Sequence, residues 1–310
     1  MEFYHVPVLW KETVDMLRVR SGGVYVDGTL GGCGHALEVC RRMGDGRLIG
    51  IDRDAAALQN AQNRLKEYRN QVTLVHRNYA DIKDILAELQ IDAIDGAMLD
   101  LGVSSYQLDN GARGFSYMHD APLDMRMNQE DQKSAYDVVN GYSESALASV
   151  IRRYGEERFA ASIARNICKE REKAPVETTF QLSEIVKQAI PAKSRRQGPH
   201  PAKRTFQAIR IEVNQELEKL EKALRDLFDT LKPGGVLAVI TFHSLEDRIV
   251  KEVWRSLSEG CTCPKSFPVC VCGKEALGEA VTRKPVQASK EELEQNPRAR
   301  SAKLRGIRKR

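Results

Sequence analysis

The chain has 310 residues, 42% of them hydrophobic and 29% charged, with a formal net charge of +5, enough to bury a sizeable core in one large domain or two. No run reaches the roughly 18 apolar residues of a membrane span, and the N-terminal stretch "MEFYHVPVLWKETVDMLRVR" lacks the apolar core and small-residue cleavage site of a secretory signal. Seven cysteines, an odd total, argue against a closed disulfide framework, so the cytoplasm is the expected setting.

From Val24 onward, strand-like and helix-like segments alternate. "VYVD" and "RLIGID" read as buried strands, a helix runs through "AAALQNAQNRLKEY", "VTLVHRN" leads into the helix "DIKDILAEL", and "IDGAMLD" is a fourth strand. Short apolar runs spaced by helices predict βαβ units, hence a parallel sheet with helices on its faces. After Gly102 the alternation stops, and the next strong strand is "GGVLAVITF", Gly234 to Phe242.

Between them lie a polar loop, "GARGFSYMHDAPLDMRMNQ", and helical segments such as "SESALASVIRRYG", "EERFAASIARNICKERE" and "TFQLSEIVKQAI". The expected fold is therefore α/β with an inserted all-helical domain: residues 1–108 form the first part of the sheet domain, 109–213 the insert, and 214–310 the second part. The segment "TFQAIRIEVNQELEKLEKALRDLFDTL" carries Phe206, Ile209, Val213, Leu217, Leu220, Leu224, Leu227 and Leu231 at helical spacing, one continuous apolar stripe. "LKPGG" then ends the helix and turns into the fifth strand, and "ARSAKLRGIRK" is expected to form an edge strand.

Charge is unevenly spread. No acid occurs between Glu184 and Glu212, a stretch holding Lys193, Arg195, Arg196, Lys203, Arg204 and Arg210, and none follows Glu294, where seven basic residues close the chain. Either run suits a surface that meets a polyanion, or is simply a solvated face and a frayed tail.

At the end of the first strand "VDGTLGGCGHA" packs Gly28, Gly31, Gly32 and Gly34 beside Asp27. The register is wrong for the G-x-G-x-x-G dinucleotide fingerprint, which weakens a nicotinamide oxidoreductase reading, and no Gly-Lys-Ser/Thr follows to make a P-loop. Asp52, ending strand two, suits ribose hydroxyls. Asp27 would repel a pyrophosphate and suits a ligand with a positive end, such as S-adenosylmethionine.

The motifs "HVPVLWKETVDML", "VDGTLGGCGH", "GIDRD", "LDLGVSSYQLD", "RGFSY", "PLDMRM", "YGEERFA", "HPAKRTFQAIRIEVNQEL", "FHSLEDRIVK" and "NPRARSAKLR" occur in that order from His5 to Arg305. In them the chain resembles the bacterial 16S rRNA (cytidine-N4)-methyltransferase family. The resemblance implies a Rossmann-like class I methyltransferase sheet interrupted by a helical substrate-recognition domain, S-adenosylmethionine as cofactor, and N4 of a decoding-site cytidine in 16S rRNA as acceptor, within the small ribosomal subunit and with no membrane. It implies cofactor contacts at Cys33, Gly34, His35, Asp52, Tyr79, Asp100 and Gln107. Where the family reads Gly-Gly-His-Ser, this chain has Cys33, Gly34, His35 and Ala36, and a positive φ at Cys33 would cost about 1–2 kcal/mol.

Methylation of an exocyclic amine needs acceptors for its N–H groups beside the methyl. In "LDLGVSS", Asp100, Ser104 and Ser105 are the catalytic candidates, with helix or turn capping as the structural reading of Asp100. His243, ending strand five, is a candidate proton acceptor or positioning group. Glu246, Asp247 and Arg248 cap the following helix or pair with neighbours. Arg113, Asp124 and Arg126 form either a lid or RNA contact or an internal ion-pair network. The target base is expected to be extruded into the cleft, with Lys193 to Arg210 on phosphates and Phe115, Tyr117 and Phe206 as stacking candidates, core packing being the stronger reading of Phe206.

The same fold acting on another RNA, DNA or protein amine, and a non-catalytic RNA-binding module, are the remaining alternatives. Cys261, Cys263, Cys270 and Cys272, in "CTCPKSFPVCVCG", can supply four thiolates to one zinc or be a loop of reduced thiols. They are not counted among the site residues, which hold no metal ligand.

Overall fold

The computed structural model describes residues 7–310 except 196, 197, 199, 262, 265, 266 and 270. The chain divides into two compact units, Met1–Gly102 with Leu217–Arg310, and Val103–Glu216. These divisions fall at 102/103 and 216/217 rather than at 108/109 and 213/214. Packing explains the difference: Val103 and Leu108 lie against the apolar core of the second unit, whereas Leu217 lies against the core of the first.

The first unit is built on seven strands: β1 (Val24–Asp27), β2 (Arg47–Asp52), β3 (Val72–His76), β4 (Ile94–Asp100), β5 (Leu231–Thr241), β6 (Gly278–Ala280) and β7 (Lys303–Lys309). Their order in the sheet is β3-β2-β1-β4-β5-β7-β6. The first five are parallel, which requires helices on both faces. The side chains follow that rule: Leu48 of β2 and Met98 of β4 enter one apolar core, while their neighbours Ile49, Ile51, Ala97 and Leu99 enter the other. This is the expected Rossmann-like sheet, and its order reverses between β1 and β4, where open α/β sheets bind ligands.

Two expectations need correction at the C-terminal side. The basic segment at the end of the chain is not an edge strand: β7 lies inside the sheet, antiparallel to both β5 and β6, with Leu304 and Ile307 fully buried. The edge is the three-residue β6, which carries no apolar run to betray it. Nor is the end of the chain a frayed tail: Arg305 Nε lies 2.7 Å and Lys303 Nζ 3.3 Å from Asp247, and Arg308 pairs with Glu279 at 3.0 Å, while Arg298, Arg300 and Arg310 remain exposed.

The apolar stripe from Phe206 to Leu231 is likewise not one helix. It is two, Lys203–Asn214 and Leu220–Thr230, separated at Gln215, whose φ of 50° is left-handed. Phe206, Ile209 and Val213 serve the second unit's core, and Leu220, Leu224 and Leu227 the first unit's. Gln215→Gly is expected to stabilise the protein by about 0.5–1 kcal/mol, because the side-chain cost of this conformation, about 1–2 kcal/mol, exceeds what glycine costs in chain entropy. Within an unbroken helix the same change would cost about 1 kcal/mol, so urea denaturation reads the answer as a sign.

The second unit is helical, with Ala135–Gly141, Glu144–Gly155, Ala160–Arg171, Thr179–Ala189 and Lys203–Asn214 as its longer helices. Ser134, Ser143 and Thr178 start three of them by accepting first-turn backbone N–H groups, and Leu147, Ile151, Ile163, Ile167, Leu182 and Val186 are buried together. Among the described residues, no helix is long and apolar enough to cross a membrane.

Candidate active site

In the first unit the acidic residues collect at the C-terminal ends of the parallel strands. Asp27 ends β1, Asp52 ends β2 and Asp100 ends β4. The loop after β1 is sewn to its neighbours by backbone bonds, Gly28 N–H to Met98 O at 3.0 Å and Leu30 N–H to Ile51 O at 3.1 Å. Gly28 has no room for a side chain, since a Cβ there would sit 2.4 Å from Leu99 Cδ2 and 3.0 Å from Tyr79 Cβ; around Gly32, by contrast, the space is open.

Asp52 braces the loop as well as facing it: Oδ2 accepts Gly31 N–H and Oδ1 accepts Asp54 N–H, both at 2.8 Å. The backbone of Arg53 also bonds this carboxylate, and the acceptor capacity that remains suits a ribose hydroxyl. Thr29, which nothing in the motif singles out, links the two strands at the reversal point. Its N–H donates to Asp27 Oδ1 at 3.1 Å, and its Oγ1 accepts Asp100 N–H at 2.6 Å. Only its place in "DGT", directly after the strand, could have signalled it.

These carboxyls are held in an environment that penalises their charge. Burial, followed by the repulsion of Asp52 against the partial relief of Thr29 N–H, pushes Asp27 up to about 7. Burial, then the charges of Asp27 and Glu246, pushes Asp100 up to about 8. Burial also raises Asp52. Asp100 Oδ1 is enclosed and has no hydrogen-bond partner among the described residues. Buried acceptors of this kind are rare unless something supplies the missing donor or charge.

The glycine-loop residues offer backbone rather than side chains. Cys33 precedes the helix Gly34–Arg42 with φ 62°, the left-handed conformation that favours glycine. Its thiol is fully buried in the core, and burial, with Asp27 nearby, pushes it up to about 12; the sulfur stays protonated. Gly34 is required by Pro7, whose Cγ would lie 1.9 Å from an added Cβ.

His35 is buried and its Nε2 lies 3.0 Å from Val8 O; because a carbonyl can only accept, Nε2 carries the proton. Burial pushes this imidazole down to about 4. Nitrogen NMR of the ring is expected to show the neutral tautomer unchanged from pH 8 to about pH 5, and titration near pH 6.5 would show that the contact with Val8 does not form.

Tyr79 opens the short turn Tyr79–Asp81 after β3, beside Gly28. His243 caps the helix Ser244–Ser258: Nδ1 accepts Glu246 N–H at 3.4 Å, and Glu246 Oε2 accepts Phe242 N–H at 2.8 Å and His243 N–H at 3.3 Å. His243 Nε2 is 3.0 Å from Glu246 Oε1 but not aligned for a hydrogen bond; the contact is one of proximity. Glu246 thus adds a fourth acid to the group, and the H-x-x-E spacing that places it reads in sequence only as a cap.

Ser104, Ser105 and Gln107 begin the second unit. Ser104 Oγ accepts Gln107 N–H at 3.2 Å, and Gln107 Oε1 accepts Ser104 N–H at 3.0 Å, a capping box that starts the helix Ser105–Asp109 and buries Gln107. Beside them Tyr106 is 53% exposed, a large aromatic surface that the sequence reading passed over.

Elsewhere in that unit, Arg113 is buried and its Nη2 donates to the carbonyls of Arg126 and Met127, both at 2.9 Å. Arg126 grips Asp124 with Nε and Nη2 at 2.9 and 2.8 Å. The trio is an internal network, not a lid. Phe115 and Phe206 are core residues, while Tyr117 stacks on His200 with centroids 4.4 Å apart. Of the basic stretch, Arg210 is spent on Glu216 at 2.8 and 2.9 Å, Lys193, Arg195, Lys203 and Arg204 are exposed, and Arg196 lies outside the described residues.

Residues 2–310 match the MraW methylase family. The chain is 57% identical over 310 residues to the ribosomal RNA small subunit methyltransferase H of Clostridium botulinum (strain Kyoto / Type A2), covering all of both chains. It is 54% identical over 306 residues to the protein of the same name from Lachnospira eligens, covering 98% of this chain and 97% of that one. Among solved structures it is similar to an rRNA methylase from Streptococcus thermophilus, with a TM-score of 0.43 at 10% identity, covering 97% of this chain and 93% of that one.

Proposed function

Since the chain belongs to the MraW methylase family, we propose that it transfers a methyl group from S-adenosylmethionine to N4 of a cytidine in the decoding region of 16S rRNA, within the small ribosomal subunit. The observation that carries this reading is the group of buried carboxyls at the strand-order reversal, with Asp100 Oδ1 enclosed and unpartnered. Such a site disfavours an anionic ligand and favours one with a positive end. The names borne by the full-length relatives support rRNA as the acceptor.

When bound, the cofactor supplies an electrophilic methyl group on a sulfonium centre. Asp52 would hold the ribose, and Tyr79 the adenine side. The backbone of Cys33, Gly34 and His35 would line the loop, and Gln107 belongs with the cofactor contacts. Transfer of that methyl to N4 would leave the amine with a proton to lose, which a group of this chain must accept.

We assign Asp100 as the acceptor that orients the N4 hydrogens and takes that proton, with Ser104 and Ser105 as further acceptors. His243, whose Nδ1 is engaged in the helix cap, is assigned a positioning role. The second unit recognises substrate: Lys193, Arg195, Lys203 and Arg204 meet phosphates, Tyr106 and Tyr117 are its aromatic surfaces, and the target base is flipped out of its stack.

The test is incubation with labelled S-adenosylmethionine and small subunits from cells lacking this protein, followed by nucleoside analysis of the rRNA. Label in N4-methylated cytidine is the expected result. Cofactor binding without label in rRNA would move the acceptor to another amine, and absence of cofactor binding would overturn the reading altogether.

A further inference from the structure

Between the helix Ser244–Ser258 and β6 the chain makes a long excursion with no helix or strand among its described residues. Its ends are pinned, Leu277 N–H to Leu257 O at 2.9 Å and Arg310 N–H to Leu277 O at 3.0 Å, but the described residues of its middle form no apolar core. Phe267, Val269 and Val271 are 49%, 69% and 73% exposed. Long loops without secondary structure are usually functional or linker segments, and a cross-link is one way to order such a loop when burial does not.

Three thiols converge within it. The Sγ atoms of Cys261, Cys263 and Cys272 all lie within 4.8 Å of one another, and those of Cys261 and Cys272 are 3.8 Å apart. A zinc–sulfur distance of about 2.3 Å in a tetrahedral site sets its thiolates about 3.8 Å apart. A disulfide would need about 2.05 Å.

The backbone is arranged for sulfur that carries charge. Cys263 N–H points at Cys261 Sγ, and Val271 N–H at Cys263 Sγ, both at 3.4 Å. Hydrogen bonds to a thiolate favour its charged form and are the usual outer support of a metal ligand.

We propose that Cys261, Cys263 and Cys272 bind a zinc ion that clamps this loop beside the edge strand β6. Three soft thiolates select zinc over the hard cations, calcium and magnesium. The loop follows the C-terminal end of the helix Ser244–Ser258, whereas the carboxyls end β1, β2 and β4, and the assignment does not rest on the function proposed above. The loop's other cysteine, Cys270, lies outside the described residues and is not part of the assignment.

The test starts with elemental analysis of the full chain purified under reductant without chelator. About one zinc per chain is expected, and a Cys261→Ser/Cys272→Ser double variant is expected to lose at least tenfold of that content. Less than about a tenth of an equivalent in the wild type, iron or copper in its place, or undiminished zinc in the variant overturns the site.

A second measurement does not depend on the variant folding. Cobalt(II) titrated into metal-stripped wild-type protein is expected to give thiolate-to-cobalt charge-transfer bands and the absorption of a tetrahedral ion, displaced by one equivalent of zinc. An octahedral spectrum without charge transfer would exclude thiolate ligation.

Discussion

Asp100→Ala is expected to lower kcat for methyl transfer by about 10²–10⁴-fold at saturating cofactor and RNA. The argument is geometric first: the carboxyl ends β4 beside the reversal of strand order, its N–H is anchored on Thr29 Oγ1 at 2.6 Å, and its Oδ1 is enclosed without a partner. A bonded N–H fixes where the residue sits while leaving the carboxylate free to act. An acceptor aimed at the N4 hydrogens gains strength as nitrogen becomes positive in the transition state, so its loss falls on kcat. Were Asp100 only a cofactor contact, the variant would raise KM for S-adenosylmethionine and recover its rate at saturation; that split would sink the catalytic assignment. Asp100→Asn keeps one acceptor oxygen without the charge and should fall between the two.

The central sheet is legible in the sequence because each of the first five strands is a short apolar run whose neighbours are helical, a pattern that tolerates little else. What was not legible depends on partners far away in the chain. "KLRGIRK" looks like an edge because it alternates charge, yet Arg305 and Lys303 both pair with Asp247, some 56 and more residues earlier, and β6 exists only because β7 offers it a ladder. The break at Gln215 is invisible to periodicity, since the apolar spacing continues through it while the two halves feed different cores.

The site divides in the same way. Asp27, Asp52 and Asp100 can be read as acids ending predicted strands, and His243 as a polar residue ending another. Thr29 and Glu246 cannot, because their part is played through one hydrogen bond to another strand and through charge at a distance. Arg113 reads in sequence either as a lid or RNA contact or as a member of an internal network, and only the fold decides between them, by burying its guanidinium against two carbonyls.

Affinity for S-adenosylmethionine is expected to rise between pH 6 and pH 8, by up to about tenfold per pH unit for each proton released on binding. In the ligand-free protein Asp27 is pushed up to about 7 and Asp100 to about 8, against about 3.9 in an unfolded chain. Their folded values are raised, so the native state binds more protons than the unfolded one. The stability these groups contribute is therefore fully present below about pH 3.9 and is lost as pH rises through about 7 and then 8. A cation lodged between the carboxyls reverses the preference by stabilising the charged forms, and binding at pH 6 must then expel protons. Calorimetry in buffers of different ionisation enthalpy counts them. S-adenosylhomocysteine, which lacks the sulfonium charge, is expected to show a shallower dependence, and Asp27→Asn or Asp100→Asn should flatten both the affinity slope and the decline of ligand-free stability toward alkaline pH. If the two ligands gave equal slopes, the sulfonium would not be the charge these carboxyls meet.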